Sequence, residues 1–298
     1  MRFGLFGTGP WAHMAHAPAL TAHKDVEFVG VWGRNPAKAA ELATEHGVEA
    51  YGEIDALIAD VDAIAVALPP DVQAPIALRA ALAGKHLLLD KPVAFTSREA
   101  DEIVAAVEER DLASVVFFTR RLLPEIADFY RDVVATGGWT EGRIEHVGTI
   151  NQEGNPFGAS PWRHEAGGLW DVGPHALAGA LAVFGPVTEV TGMTGPRDNT
   201  HVLAKHASGA ISSLTMSVDA PPAAGREDYA FLGEAGLRAV PHVSFEAVTA
   251  LQLAIDHLLE AAAGGPKSPL DVRFGAQVTR ILEAAAESID SGRKISLI

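Results

Sequence analysis

The sequence predicts an α/β chain in two parts. Residues 1–121 should form a doubly wound parallel sheet, and residues 122–298 an α+β domain with a largely antiparallel, open sheet. Three observations lead there. Short apolar runs alternate with helix-length stretches through the first 120 residues, the pattern of right-handed βαβ crossovers. After Arg121 the strands follow one another through short turns, the pattern of antiparallel pairing. The chain has 298 residues, 48% of them apolar and 20% charged, which is enough for two buried cores.

Phe3–Phe6 reads as a short buried strand, followed by the glycine turn Gly7-Thr8-Gly9-Pro10-Trp11-Ala12 and a helix to Ala22. Val26–Trp32 is a second strand. Asn35 can cap the next helix, with Pro36 at its first position and Gly47 past its end. Val48–Tyr51 is a short third strand. Ala63–Leu68 is apolar throughout, as a central parallel strand covered on both faces must be. Val72–Ala83 has helical periodicity, and His86–Leu89 is the next strand. Thr96-Ser97-Arg98-Glu99 is a capping box opening a helix to Arg110, and Ser114–Thr119 closes the series. In the second part, a helix over Pro124–Ala135 precedes the break Gly137-Gly138. Strands are expected at Arg143–Asn151, Val187–Thr194, His201–His206 and Ala210–Val218, with a hairpin of Tyr229–Gly233 and Leu237–Val240. Two helices, Phe245–Ala262 and Val272–Asp290, end the chain, and Arg293-Lys294 reads as a solvated tail.

The net charge of −15 argues against nucleic acid and anionic membrane surfaces as partners, because both are held mainly by Lys and Arg. The chain has no cysteine, so disulfides, zinc–thiolate sites and a catalytic thiol are excluded, and a reducing cytoplasm fits. The amino terminus runs directly into a strand without a signal-peptide core, and no apolar run approaches the roughly 20 residues of a membrane span. His13 and His16, three apart, have no third clustered ligand, so no metal is expected.

Three motifs carry chemistry. Gly7-x-Gly9-x-x-Ala12 sits between a strand and a helix, where glycines let backbone approach a pyrophosphate and the helix terminus offers free N–H groups. This points to a dinucleotide held by Gly7, Thr8, Gly9, Pro10 and Trp11. An NAD site usually has an acid after the second strand, but here Arg34 and Asn35 stand there, with Lys38 nearby. Arg34 suits a 2′-phosphate, which favours NADP over NAD. The second motif, Leu89-Asp90-Lys91-Pro92, lies at the carboxyl end of a strand, the edge at which open α/β sheets bind ligands. The third is Gly167-Gly168-Leu169-Trp170-Asp171-Val172-Gly173-Pro174-His175, read as a loop entering a helix. Asp171 and His175 are four apart and share one face if the helical turn reaches back that far; otherwise Asp171 is a cap and His175 a packed core residue. Arg163 is a substrate-binding candidate on a loop with Trp162 and His164. Asn151 and Gln152 end a strand and could reach substrate hydroxyls.

Taken together, the glycine turn, Leu68-Pro69-Pro70, the run from Ala83 to Pro92, Gly142-Arg143-Ile144, Trp162-Arg163, the Gly167–His175 run and Leu232-Gly233-Glu234-Ala235-Gly236 resemble the Gfo/Idh/MocA oxidoreductases. That is the family of glucose–fructose oxidoreductase and inositol dehydrogenase, and the resemblance spans nearly the whole chain. It implies an N-terminal Rossmann domain binding NADP or NAD. It also implies a C-terminal domain whose open sheet serves oligomerisation as a dimer or tetramer, with substrate between the two. It assigns Pro69 to the cofactor loop and Lys91, Asp171 and His175 to the substrate; Asp90 and Lys91 are further expected to touch the cofactor, and Arg163 the substrate. Three departures stand out. Asp90 replaces the usual glutamate before Lys-Pro, Ala12 replaces the third glycine, and Gln73 stands where many members have histidine.

The implied reaction is hydride transfer between nicotinamide and a secondary alcohol or ketone of a sugar, cyclitol or related polyol. His175 or Lys91 moves the hydroxyl proton, Asp171 orients His175, and Lys91 polarises the reacting oxygen. A non-catalytic nucleotide or sugar sensor, and a glycoside hydrolase that retains its nicotinamide, are the alternatives on the same fold.

Overall fold

The computed structural model describes residues 1–244 and 246–297, which divide into two compact units. Residues 1–122 and 246–277 form the first, and 123–244 with 278–297 the second. A single cut after residue 121 therefore does not describe the chain, because residues 246–277 return to the first unit. The reason is an edge that needs covering. Beside the edge strand Ser114–Val116, the Val116 N–H donates to the Leu270 carbonyl (2.7 Å), and the Ser114 hydroxyl accepts from the Val272 N–H (3.2 Å). The helix Ala247–Ala262 buries Leu251, Ala254, Ile255 and Leu258. The expected start of that helix, Phe245, lies outside the described residues.

The first unit has six strands, β1 (Arg2–Phe6), β2 (Glu27–Trp32), β3 (Glu49–Tyr51), β4 (Ala63–Val66), β5 (His86–Leu89) and β6 (Ser114–Val116). They are all parallel, in the order β3-β2-β1-β4-β5-β6. Chain order reverses between β1 and β4, so the crevice at their carboxyl ends is where an open sheet of this kind takes a ligand. All four residues of β4 are fully buried, as two helical layers require. Asn35 caps α2 (Pro36–His46) by accepting from the Ala37 and Lys38 N–H groups, and Gly47 ends it in the left-handed region. Thr96 caps the helix Ser97–Glu109, its hydroxyl accepting from the Glu99 N–H (3.3 Å).

Three local features differ from expectation. A short helix at Ile54–Asp60 fills the link between β3 and β4. β6 ends at Val116 instead of Thr119, because Thr119 has φ +22° and opens a 3-10 turn. The first helix begins at Pro10 but widens to a π turn over Ala12–His16 before becoming regular at Ala17–Ala22. Pro18 has no N–H to give and its ring would crowd the Met14 carbonyl, and a wider turn relieves both.

The second unit carries a seven-stranded sheet. Its strands are β7 (Trp139–Val147), β8 (Val187–Gly195), β9 (Asn199–His206), β10 (Ile211–Ser217), β11 (Arg226–Gly233), β12 (Gly236–Ala239) and β13 (Ile295–Ser296). The order is β12-β11-β7-β10-β9-β8-β13, antiparallel except for the β7–β10 pair. Along β9, Val202, Ala204 and His206 are buried while His201, Leu203 and Lys205 are exposed, so one face packs and the other is open. β7 starts four residues earlier than expected. The Trp139 indole is buried and donates to the Val133 carbonyl (2.6 Å), which pins the strand directly after Gly137-Gly138. The end of the chain is not a free tail. β13 pairs with β8, and the Lys294 ammonium meets Glu189 at 2.8 Å.

Candidate functional site

The predicted residues fall into two sets, one on each unit. In the first unit, Gly7 has φ +137°, and a Cβ there would sit 2.4 Å from the Ala67 carbonyl oxygen. Its N–H donates to Trp32 across the strand ends (2.9 Å). Only glycine lets β1 turn this close to β4. Gly9 is different, since a Cβ there would meet nothing within 4 Å. The backbone at Gly9 therefore faces open space at the start of a helix, the cradle a pyrophosphate requires. Thr8 packs beneath Gly33, where a Cβ would come 2.5 Å from the threonine methyl, so the turns after β1 and β2 lie together. Arg34 is exposed directly after that contact. The Asn35 side-chain oxygen is committed to capping α2. These residues fit a dinucleotide, whose phosphates the Gly7–Trp11 turn would hold and whose adenosine end Arg34 would meet.

The first unit also holds the lysine turn. Gln73, on α4 (Pro70–Leu82, just after Pro69), is fully buried. Its amide donates to the carbonyls of Asp90 (2.8 Å), Pro92 (3.1 Å) and Val93 (3.3 Å), and its oxygen accepts from the Asp90 N–H (2.8 Å). The Asp90 carboxylate accepts from the Lys91 N–H (2.8 Å), and the Lys91–Pro92 bond is cis. One neutral amide thus fixes the backbone on both sides of Lys91. Sequence reading marked Gln73 only as a departure and missed this role; the pattern Pro-x-x-x-Gln gives no local sign of it.

His16 is fully buried, and neither ring nitrogen has a hydrogen-bond partner. Burial pushes its pKa down to about 3. Its ring meets Phe117 edge-on, and Phe117 in turn stacks with Trp11. His13 pairs with Glu45 (3.4 Å), and no cluster of metal-ligating side chains occurs among the described residues.

In the second unit, the expected loop around Arg163 is a helix. α7 (Pro161–Asp171) is broken at Gly167 (φ +66°, ψ −167°), and α8 (Gly173–Phe184) follows at once. Asp198 makes the break. Its carboxylate accepts from the N–H groups of Gly168 (2.5 Å) and Val218 (3.2 Å), and a Cβ at Gly167 would lie 2.3 Å from it. Arg197 and Asp198 both sit at positive φ to reach this position. Burial, the largest influence, pushes the Asp198 carboxyl above its usual range, against the pull of the two N–H groups. Asp198 escaped the sequence reading because its partner lies 30 residues away.

Beyond the kink, Asp171 does not cap α8; the cap position is Val172, without a side-chain bond. The Asp171 carboxylate accepts from Arg163 Nε (3.1 Å), with side chains 3% and 19% exposed respectively. The Arg163 guanidinium also lies over the rings of Trp162 (4.7 Å) and Phe157 (5.2 Å). His175 is partly exposed, and its ring stacks on His146 (5.5 Å between centroids, 18° between planes). Asn151 and Gln152 lie in turns beyond β7, and Gln152 is tied to Asp219. His164 bonds the Gly158 carbonyl (2.5 Å).

A parallel sheet whose chain order reverses beside a glycine turn is the arrangement of a dinucleotide-binding Rossmann domain. Residues 1–118 match the model of an oxidoreductase family with an NAD-binding Rossmann fold, and residues 131–237 match the GFO/IDH/MocA C-terminal domain. The chain is 30% identical over 251 residues to dTDP-3,4-didehydro-2,6-dideoxy-α-D-glucose 3-reductase of Streptomyces antibioticus, covering 79% of this chain and 74% of that protein. It is 32% identical over 126 residues to UDP-N-acetylglucosamine 3-dehydrogenase of Acidithiobacillus ferrooxidans, covering 42% of this chain and 39% of that one. The fold matches the WlbA dehydrogenase of Bordetella pertussis, solved with NADH and UDP-GlcNAcA, with TM-score 0.88 at 21% identity over 100% of this chain and 98% of that one. The chain belongs to the Gfo/Idh/MocA oxidoreductase family, and it is an enzyme with an NAD(P)-binding Rossmann domain. The sensor and hydrolase alternatives are not favoured by these relatives.

Proposed function

We propose that the enzyme moves a hydride between NAD(P) and a ring hydroxyl or ketone carbon of a sugar, one linked to a nucleotide being the first to try. When bound, the nicotinamide supplies the hydride acceptor or donor. Lys91, with its backbone fixed by Gln73 and Asp90, holds the reacting oxygen and stabilises the charge that develops there. His175 takes the hydroxyl proton in oxidation and returns it in reduction. Asp171 anchors Arg163, whose guanidinium, stacked on two rings, offers its remaining N–H groups to substrate oxygens.

The observation that carries this reading is the mounting of the Gly167–His175 run. A carboxylate from a distant loop sets its kink, and a nearly buried ion pair locks it just ahead of α8, the helix that carries His175. Such fixed geometry is what acid–base and positioning chemistry needs. The test measures nicotinamide reduction with UDP-N-acetylglucosamine, dTDP-glucose, levoglucosan and myo-inositol, each with NAD and NADP. Lys91→Ala and His175→Ala should each lower turnover at least about a hundredfold while NADH still binds. Full turnover in His175→Ala would discard the proton role.

Arg34 supports a preference for NADP. Met193, Leu203 and Ile211 are exposed on the outward face of the second sheet and support homo-oligomerisation through that face. Light scattering checks the latter, and a monomer would refute it. No helix among the described residues is long and apolar enough to cross a membrane. A cysteine-free chain fits the cytoplasm, which fractionation checks.

A further inference from the structure

His146 and Tyr229 belong to neither the sequence motifs nor the function proposed above, yet they adjoin its central residue. His146 lies on β7 and Tyr229 on β11. In the antiparallel register Tyr229 faces Ile144, two residues from His146, so the two side chains are diagonal neighbours on one face. The Tyr229 hydroxyl and His146 Nδ1 are 2.7 Å apart. The His146 ring then stacks on His175. Tyr229 is only 9% exposed, and its ring lies against Gly179 of α8, where a Cβ would come 3.0 Å from Cδ2. Gly179 is one helical turn beyond His175, on the same face. The contacts therefore close a loop, from His175 to His146, to Tyr229, and back to α8 through Gly179.

An imidazole turns about a broad, two-fold χ2, so its plane is set by what it touches. At His175 that includes a second imidazole, whose own plane is fixed by a phenol. We propose that His146, anchored by the Tyr229 hydroxyl, is a positioning residue that fixes the ring plane of His175 for proton transfer. The proposal rests on the assignment of His175 to that transfer. The sequence hides it, because His146 and Tyr229 are 83 residues apart. Only the β7–β11 register brings them together.

The test needs one readout without substrate and one with it. In cofactor-free enzyme, NMR of the His175 ring protons should show a ring-current shift that His146→Ala removes and His146→Phe retains. Tyr229→Phe should change it, because His146 loses its anchor. With whichever sugar of the panel above reacts fastest, His146→Ala and Tyr229→Phe should each lower kcat about tenfold, leaving KM for the cofactor unchanged. Phe at position 146 needs no phenol anchor. Tyr229→Phe should therefore cost nothing further in the His146→Phe background, a non-additivity that general loss of packing would not produce. Unchanged His175 signals in both His146→Ala and Tyr229→Phe would overturn the proposal. So would full kcat in both variants, or strictly additive effects in the cycle. If His175→Ala itself keeps full turnover, the proposed function fails instead, and the NMR arm still decides the positioning.

Discussion

His16 and Asp171 show how burial sets the behaviour of single residues here. His16 is neutral in the folded chain, whereas the unfolded chain protonates it below pH 6.5. Its contribution is fully present above that pH and is lost as pH falls towards about 3. Between pH 7 and 5 the wild type should lose about 2 kcal/mol that His16→Leu does not lose, as read from urea unfolding at the two pH values. Asp171 is the opposite case, a buried carboxylate paired with Arg163. Arg163→Met leaves that charge without its guanidinium and should cost about 3 kcal/mol of unfolding free energy. Turnover should fall with it even under conditions where the variant is folded. Arg163→Lys should recover little, because a lysine cannot reproduce the planar contact over Trp162 and Phe157.

At the scale of elements, two glycines in one turn have opposite demands. Gly7→Ala drives a Cβ into the Ala67 carbonyl from a φ unfavourable to side chains, so folding itself should suffer, by about 3 kcal/mol. Gly9→Ala meets open space and should leave the thermal midpoint unchanged while weakening NADH binding about tenfold or more, measured by nicotinamide fluorescence. The kink between α7 and α8 is set by an element far away in sequence. Asp198→Ala strips acceptors from two backbone N–H groups and should cost about 2 kcal/mol, with Asp198→Asn recovering part of it through its side-chain oxygen. The strand β7 teaches a related lesson. Its place is decided by the buried indole of Trp139, whereas the sequence pattern had drawn the strand towards Asn151.

For the molecule as a whole, the choice of nicotinamide can be tested at Arg34. Arg34 stands exposed where NAD sites usually have an acid. Arg34→Ala should therefore reduce kcat/KM for NADP about tenfold and leave that for NAD nearly unchanged. Equal losses for both cofactors would remove the 2′-phosphate reading. The division into units also belongs to this scale. Residues 246–277 supply Leu270 and Val272 to cover the edge of β6, so the first unit is built from two separate stretches of chain.

The positions of the six parallel strands, the glycine turn, the cap of α2, the cap at Thr96 and the lysine and histidine motifs were all legible in the sequence. Each is specified by residues within one or two turns of chain. Hydrophobic period, capping side chains and glycines at positive φ act locally, so they can be read locally. What only the tertiary structure decided is how the reactive side chains are held. Gln73 grips the Lys91 turn, Asp198 sets the kink before Asp171, Arg163 rises on a helix to pair with Asp171, and His146 stacks on His175. None of these follows from spacing. Each joins residues that meet only when strands pair in register and buried polar groups find partners, and an unpaired buried donor or charge costs too much for the fold to leave those partners to chance.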